Sequence, residues 1–368
     1  MNAPAPRRVI DPQGRSLLSR LRLARNSTEG RGRAMTTLKE IARAAGVSTT
    51  TVSNVINGNH RRVSAEKVET IRRLIRESGY IPNQVARSLA QRGSRFIAIV
   101  VQADESENAF LNPYSAIYVG ALTRCLYTHG YYPLLRFTDD FHAVEHDLRG
   151  WNVAGALFNG SYNRHLQHIE SLSPIPCVFT DCYFELPGVS HVRLDDAAGG
   201  RIAGDYLADM GHRRIAFVGT ALEDSDVDKQ RLIGFRQSLS ARGIDLPEAY
   251  ILPSADFDAQ RERLDALLRD PEGPTAFFCC ADVTGIALIH QATSRGLRVP
   301  EDISVMGFDD LPPASLASPP LTTIAQDMDQ KAALAVDMLL RHIEDKALSP
   351  EHTVIGVSLV ERGSVARI

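Results

Sequence analysis

From Phe96 onward short apolar runs alternate with amphipathic stretches, and that alternation restricts the fold more than any other feature of the chain. FIAIVV (96–101), YPLLRF (132–137), GALFN (155–159), PCVFTD (176–181), RIAFVG (214–219), TAFFCC (275–280) and ISVMGF (303–308) read as strands. Between them Ser115–Thr128, Gly199–Met210, Lys229–Ala241 and Thr284–Arg295 read as helices. Strands separated by helices pair in parallel through right-handed crossovers. The run holds more elements than one small sheet accommodates, so it predicts two doubly wound, parallel-sheet α/β lobes. Small molecules bind such architectures at the carboxyl ends of strands.

Ahead of this region the periodicity is helical. Thr37 followed by Glu40 is a capping box, Leu38, Ile41, Ala42 and Ala45 share a face, and Gly46 supplies a left-handed stop. Ser48 opens a second helix whose apolar side is Val52, Val55 and Ile56; a third runs from Ser64 to Gly79. Two helices joined by a glycine-containing turn predict an all-α helix-turn-helix, its second helix sized for the DNA major groove. Pro82 forces Ile81 out of helical geometry, and Asn83–Ala90 forms a further short helical segment.

Charge divides the chain in the same place. Residues 1–94 carry 18 Lys and Arg against 6 Asp and Glu, whereas the remainder carries 23 against 38. A basic front on an acidic body confines phosphate attraction to one module. Residues 1–34 lack hydrophobic periodicity and are expected to be a disordered basic tail; Met35 offers a second start codon position that would leave them untranslated. Cys125, Cys177, Cys182, Cys279 and Cys280 have no metal-ligand spacing and read as buried thiols in a reducing compartment. There is no apolar stretch long enough for a membrane span and no secretory signal, which predicts a cytoplasmic protein without a membrane partner. A Gly-rich phosphate loop, a G-x-S-x-G elbow and a zinc-ligand His pair are all missing. We therefore expect no enzyme activity, no cofactor and no metal.

The runs TLKEIARAAGVSTTTVSNVIN, VSAEKVETI and GYIPNQVARSLA, in that order and spacing, closely resemble the lac repressor family (LacI/GalR type) of bacterial transcription regulators. The resemblance continues to about residue 365. It implies a helix-turn-helix domain at 35–81, a hinge helix and linker at 82–94, and a periplasmic-binding-protein-like core at 95–368. One lobe would hold about 95–193 and 326–354, the other about 194–325 and 355–368. The function it implies is a ligand-responsive repressor; a solute-binding receptor sharing the core fold is the alternative, against which the helix-turn-helix argues.

The resemblance also places site residues. Thr49 and Thr50 stand where the family faces base edges, with Ser53 and Asn54 a turn further on; Asn54 has the donor–acceptor pair that adenine matches. Thr37, Lys39, Ser48, Asn57, Arg61, Tyr80, Asn83, Ala86 and Arg87 complete the expected DNA-binding set, and Leu89 matches the leucine wedged into the minor groove. Arg43, Arg61, Arg62 and Lys67 have the charge to meet phosphates. In the core, Asp309 of GFDD matches a cleft aspartate, Arg231 an arginine that forks onto effector oxygens, Asp181 a strand-end aspartate, and Tyr114 an aromatic after Asn-Pro. Ala281 stands where the family presents an asparagine, so effector identity does not transfer. The expected partners are a pseudo-palindromic operator DNA, a sugar-like effector and a second copy of the chain. No C-terminal heptads follow the strand-like tail, which favours a dimer over a tetramer.

Overall fold

The structure is a computed structural model describing residues 37–56, 58–80, 94–103, 109–138, 141–160, 175–183, 189–219, 226–253 and 260–368. The tail expected at 1–34, the hinge helix at 83–90, and Asn57, Asn83, Ala86, Arg87 and Leu89 lie outside these residues. Contacts divide the chain into two compact units between Gln91 and Arg92.

In the first unit α1 (Leu38–Ala45) begins at the capping box. The Glu40 N–H donates to Thr37 Oγ1 at 3.3 Å, and the Thr37 N–H donates to Glu40 Oε2 at 2.7 Å. The helix stops at Gly46, whose φ of 62° is the left-handed turn a side chain resists. The Thr51 N–H donates to the Ser48 hydroxyl at 3.1 Å, opening α2 (Thr49–Ile56). α3 (Ala65–Ser78) starts at Ser64 and ends at Gly79. Ile41, Ala45, Val52, Val55, Val68 and Ile71 bury one stripe from each helix in a common cluster. The exposed Lys67 ammonium donates to the Ala45 carbonyl at 3.0 Å, at the negative end of α1. Thr37→Ala removes one half of the capping box and is expected to cost about 1 kcal/mol. The check is amide hydrogen exchange, faster in α1 than in α3; equal protection would deny the cap its role.

The second unit contains two six-stranded sheets. The first is built from β1 (Phe96–Gln102), β2 (Tyr132–Thr138), β3 (Gly155–Asn159), β4 (Cys177–Thr180), β5 (Ser190–Leu194) and β11 (His352–Ile355), in spatial order β11-β5-β4-β3-β1-β2, all parallel. The second is built from β6 (Ile215–Val218), β7 (Ile251–Leu252), β8 (Ala276–Cys279), β9 (Ser304–Asp309), β10 (Thr322–Ala325) and β12 (Ser358–Val360). Its order is β12-β10-β9-β8-β6-β7, parallel except where β12 meets β10. All seven expected strands are present within a residue or two of their expected ends. The strand-like tail VIGVSLVERGS (354–364) is not one strand: its start belongs to β11 in one sheet and 358–360 form β12 in the other.

The helices are α4 (Pro113–Thr128) and α5 (Phe141–Gly150) in the first lobe, then α6 (Asp196–Asp209), α7 (Asp226–Ala241), α8 (Arg261–Arg269), α9 (Asp282–Ser294) and the short α10 (Pro312–Leu316). α11 (Met328–Glu344) returns to the first lobe and packs on α4, β3, β4 and β5. Strand centres such as Ile97, Ile99, Phe158, Phe217 and Phe278 are fully buried, as expected of strands covered on both faces. α6 and α7 touch backbone to backbone: a Cβ on Gly234 would sit 1.9 Å from the Ala197 carbonyl oxygen, and one on Gly200 2.0 Å from that of Arg231. His212 has a structural place. Its Nε2 donates to the Ala366 carbonyl at 3.1 Å and its Nδ1 pairs with the Thr275 hydroxyl at 2.9 Å, while burial lowers its pKa and keeps it neutral.

Candidate functional site

On the helix-turn-helix the expected base-facing side chains are partly divided between roles. Thr50 and Asn54 are exposed, Thr49 and Ser53 half-buried, and the half-buried Thr51 is engaged locally, its hydroxyl pairing with that of Ser48 at 2.9 Å. Lys39, Arg43, Arg61 and Arg62 are exposed around them. The Thr37 and Ser48 hydroxyls both serve as caps, and Tyr80 packs half-buried on the unit's core.

In the second unit all four expected effector residues join one polar network. Asp181 directly follows β4 and Asp309 ends β9, so each stands at a strand's carboxyl end in a different lobe. Both have positive φ, 58° and 119°, which an aspartate adopts only at a cost of about 1–3 kcal/mol. On the first lobe Asn112 caps α4 by accepting from the Tyr114 N–H at 3.0 Å, with Pro113 at the helix start. That fixes Tyr114 so that its hydroxyl donates to Asp181. On the second lobe Arg231, in the second turn of α7, donates from Nε to Asp196 Oδ1 at 2.8 Å and from Nη1 to the Cys280 carbonyl. Its guanidinium lies 3.5 Å over the Phe308 ring and 3.9 Å from Asp309. Asp196, which is 1 % exposed, also accepts from the Tyr183 hydroxyl.

Two residues absent from the sequence-derived set join these halves. Lys331, in the first turn of α11, is 0 % exposed; its ammonium donates to Tyr114 Oη at 2.6 Å and to Asp181 Oδ1 and Oδ2 at 2.9 and 3.0 Å. It also donates to Gln326 Oε1 at 3.2 Å, and Gln326 Nε2 donates to Asp309 Oδ1 at 2.6 Å. Gln326 lies between β10 and α11, where the chain leaves the second sheet for the first. Lys331 could have been found: it is the one charged residue on the apolar stripe formed by Met328, Ala332, Ala335 and Leu339.

Burial pushes the Asp309 carboxyl up to about 8, against the opposing pull of Arg231. Burial likewise raises Asp196, with Arg231 again opposing. The neighbouring aspartates are structural. Asp282 accepts from Thr323 Oγ1 at 2.6 Å and the Leu311 N–H at 2.7 Å, and Asp310 pairs with Arg362 at 2.5 Å. Ala281 is the N-cap of α9 and makes no side-chain cap bond. The cysteines are free, and burial pushes the Cys177 thiol up to about 12. No group of three or more potential metal ligands occurs among the described residues, and no helix among them is long and apolar enough to cross a membrane.

The raised Asp309 pKa has a testable sign. A carboxyl that holds its proton more tightly when folded contributes stability fully below its unfolded pKa, near 4. That contribution is lost as pH rises through about 8. Asp309→Asn, which keeps an acceptor for Gln326, should therefore gain melting temperature relative to wild type as pH rises from about 5 to about 8. A constant difference across that window would show that Asp309 does not titrate there.

A three-helix DNA-reading unit followed by a two-sheet α/β core with polar groups at facing strand ends defines a ligand-responsive DNA-binding regulator. Comparison with known proteins agrees. Residues 37–83 match the family "Bacterial regulatory proteins, lacI family", and residues 204–365 match "Periplasmic binding protein-like domain". The chain is 34% identical over 336 residues to the ribose operon repressor of Haemophilus influenzae, covering 90% of this chain and 99% of that protein. It is 32% identical over 342 residues to the transcriptional regulator CelR of Thermobifida fusca, covering 89% and 98%. Among solved structures it is similar to the lac repressor dimer bound to operator and the anti-inducer ONPF, with a TM-score of 0.79, 27% identity, and 90% and 99% of the two chains covered. The chain belongs to the lacI family. It is a DNA-binding transcriptional repressor whose core receives a small-molecule effector.

Proposed function

We propose that the network through Asp309, Arg231, Asp181 and Tyr114 is the effector site, and that its ligand is a sugar or related hydroxylated metabolite. The observation that carries this reading is the meeting of side chains from two different sheets, at strand carboxyl ends, in one buried polar cluster. Asp181 and Asp309 both hold strained positive-φ backbone at the edge of this cluster. The relatives point the same way: one is a ribose operon repressor, and a structure 30% identical, with a TM-score of 0.66, is a CelR–cellobiose complex. Ala281 offers no hydrogen bond, which fits a ligand with an apolar or water-bridged edge there.

Thr49, Thr50, Ser53 and Asn54 would then read bases while Lys39 and Arg61 position the protein on phosphates. Tyr80, Asn57, Asn83, Ala86, Arg87 and Leu89 would extend that surface, with Leu89 as the minor-groove wedge. One helix-turn-helix reads a half-site, so the working form is a homodimer on a pseudo-palindromic operator, in the bacterial cytoplasm where that DNA is. The effector changes operator affinity only by its own differential affinity for the DNA-bound and free states.

The test is fluorescence anisotropy with promoter DNA, titrated with and without ribose, glucose, cellobiose and their acids. One sugar should change operator affinity in wild type. Asp309→Asn should bind DNA as wild type does without ligand, yet need about tenfold more sugar for the same response. An undiminished response in that variant would move the effector site elsewhere.

A further inference from the structure

We propose that Lys331 is the specificity-determining residue of the cleft, and that by neutralising Asp181 it restricts the ligand to uncharged, hydroxyl-bearing molecules. The proposal rests on the effector-site reading above and deepens it. Lys331 is enclosed between the Tyr114 and Tyr118 rings, 5.0 and 4.6 Å from their centroids, and its three protons are shared among Tyr114, Asp181 and Gln326. Arg231 is held by Asp196 and the Cys280 carbonyl. Lys331 is thus matched by Asp181 and Arg231 by Asp196, and Arg193, the next cation, lies over the Tyr183 ring, so neither cation of the network carries charge in excess for an incoming anion. A phosphate or carboxylate would enter beside buried carboxylates with no counter-charge, which a low-dielectric site penalises heavily.

A hydroxyl fares differently. Asp181 accepts from Lys331 on both oxygens and from Tyr114 on Oδ2, which leaves acceptor capacity on Oδ1. Its side chain is 13% exposed while that of Lys331 is fully buried, so the acceptor faces outward and the ammonium stands behind it. Lys331 orients Asp181 and cancels its charge, and the wall presents a fixed acceptor to a donor. Arg231, whose Nη2 has no hydrogen bond among those described, supplies a donor on the opposite lobe. One acceptor wall and one donor wall suit a ligand whose groups both donate and accept, which is the chemistry of a polyol.

The experiment is isothermal titration calorimetry on the full chain with matched probes: D-glucose against D-glucuronate, and D-ribose against D-ribose 5-phosphate. Wild type should bind neither anionic probe at concentrations where a neutral counterpart saturates. Asp181→Asn keeps the volume but frees the Lys331 charge, and should bind the anionic probes about tenfold more tightly than wild type does. Asp181→Asn/Lys331→Met should lose that gain. Wild type binding an anionic probe as tightly as its neutral partner overturns the proposal, and that comparison stands even where a variant fails to fold. A folded Asp181→Asn with no gain overturns it too. If no neutral sugar binds wild type, the sugar reading fails by itself, while gain and loss of anion binding in the two variants still report the Lys331 charge.

Discussion

Gly234→Ala is expected to destabilise the Arg92–Ile368 unit by about 3 kcal/mol, the upper end of the overpacking range, and to lower its melting temperature by roughly 10 °C. On helix propensity alone the change should stabilise, since alanine is preferred over glycine by about 1 kcal/mol in a helix interior. Packing decides otherwise, because the new methyl would lie 1.9 Å from the Ala197 carbonyl oxygen and that atom belongs to backbone with no rotamer to change. α6 and α7 must separate, and their separation acts on the site. Arg231 lies one turn before Gly234, and Asp196 directly precedes Ala197, so the contact that glycine permits also holds the Arg231–Asp196 pair at 2.8 Å. Loss of effector response should accompany the loss of stability. Gly120→Ala in α4 is the control: its methyl would meet only the Arg124 guanidinium at 3.7 Å, so it should be neutral or stabilising. Differential scanning calorimetry of both variants checks this, and a Gly234→Ala protein melting at or above wild type would sink the account.

The sequence made the elements legible where a local rule was strong. The capping box at Thr37 and Glu40, the stop at Gly46 and the strands that lead into Asp181 and Asp309 all follow from patterns spanning a few residues. β5, β7, β10, β11 and β12 are short, and SHVRL or TTIA carries too little apolar periodicity to separate a strand from a loop. The site was legible as a set of residues but not as a network. Lys331 bonds Tyr114, 217 positions away, and Arg231 bonds Asp196, 35 positions away. Such pairings exist only once the sheets are assembled. Lys67 shows the same limit: its charge suggests phosphate, and only the fold reveals that its ammonium also meets the Ala45 carbonyl. Charge alone ranks a residue's possible partners, and geometry chooses among them.

That distinction governs what Arg231→Ala will do. As a residue matched to an effector-binding arginine it would be expected to affect ligand response only. The structure predicts a larger effect. Removing the guanidinium leaves Asp196, 1% exposed, without its ion partner and takes a cation from beside Asp309, 5% exposed. Breaking one side of a buried pair costs about 3–5 kcal/mol, so the variant should melt roughly 10 °C or more below wild type. Asp196→Asn keeps the hydrogen-bond acceptor and removes the charge that Arg231 compensates. Combined with Arg231→Ala it should therefore restore part of the lost stability, with a coupling of about 1–3 kcal/mol. Simple additivity in that double-mutant cycle would mean that Arg231 acts on the ligand and not on the fold. A clear coupling would mean that lost response in Arg231→Ala cannot by itself identify a ligand contact, leaving Asp309→Asn as the variant whose response separates recognition from stability.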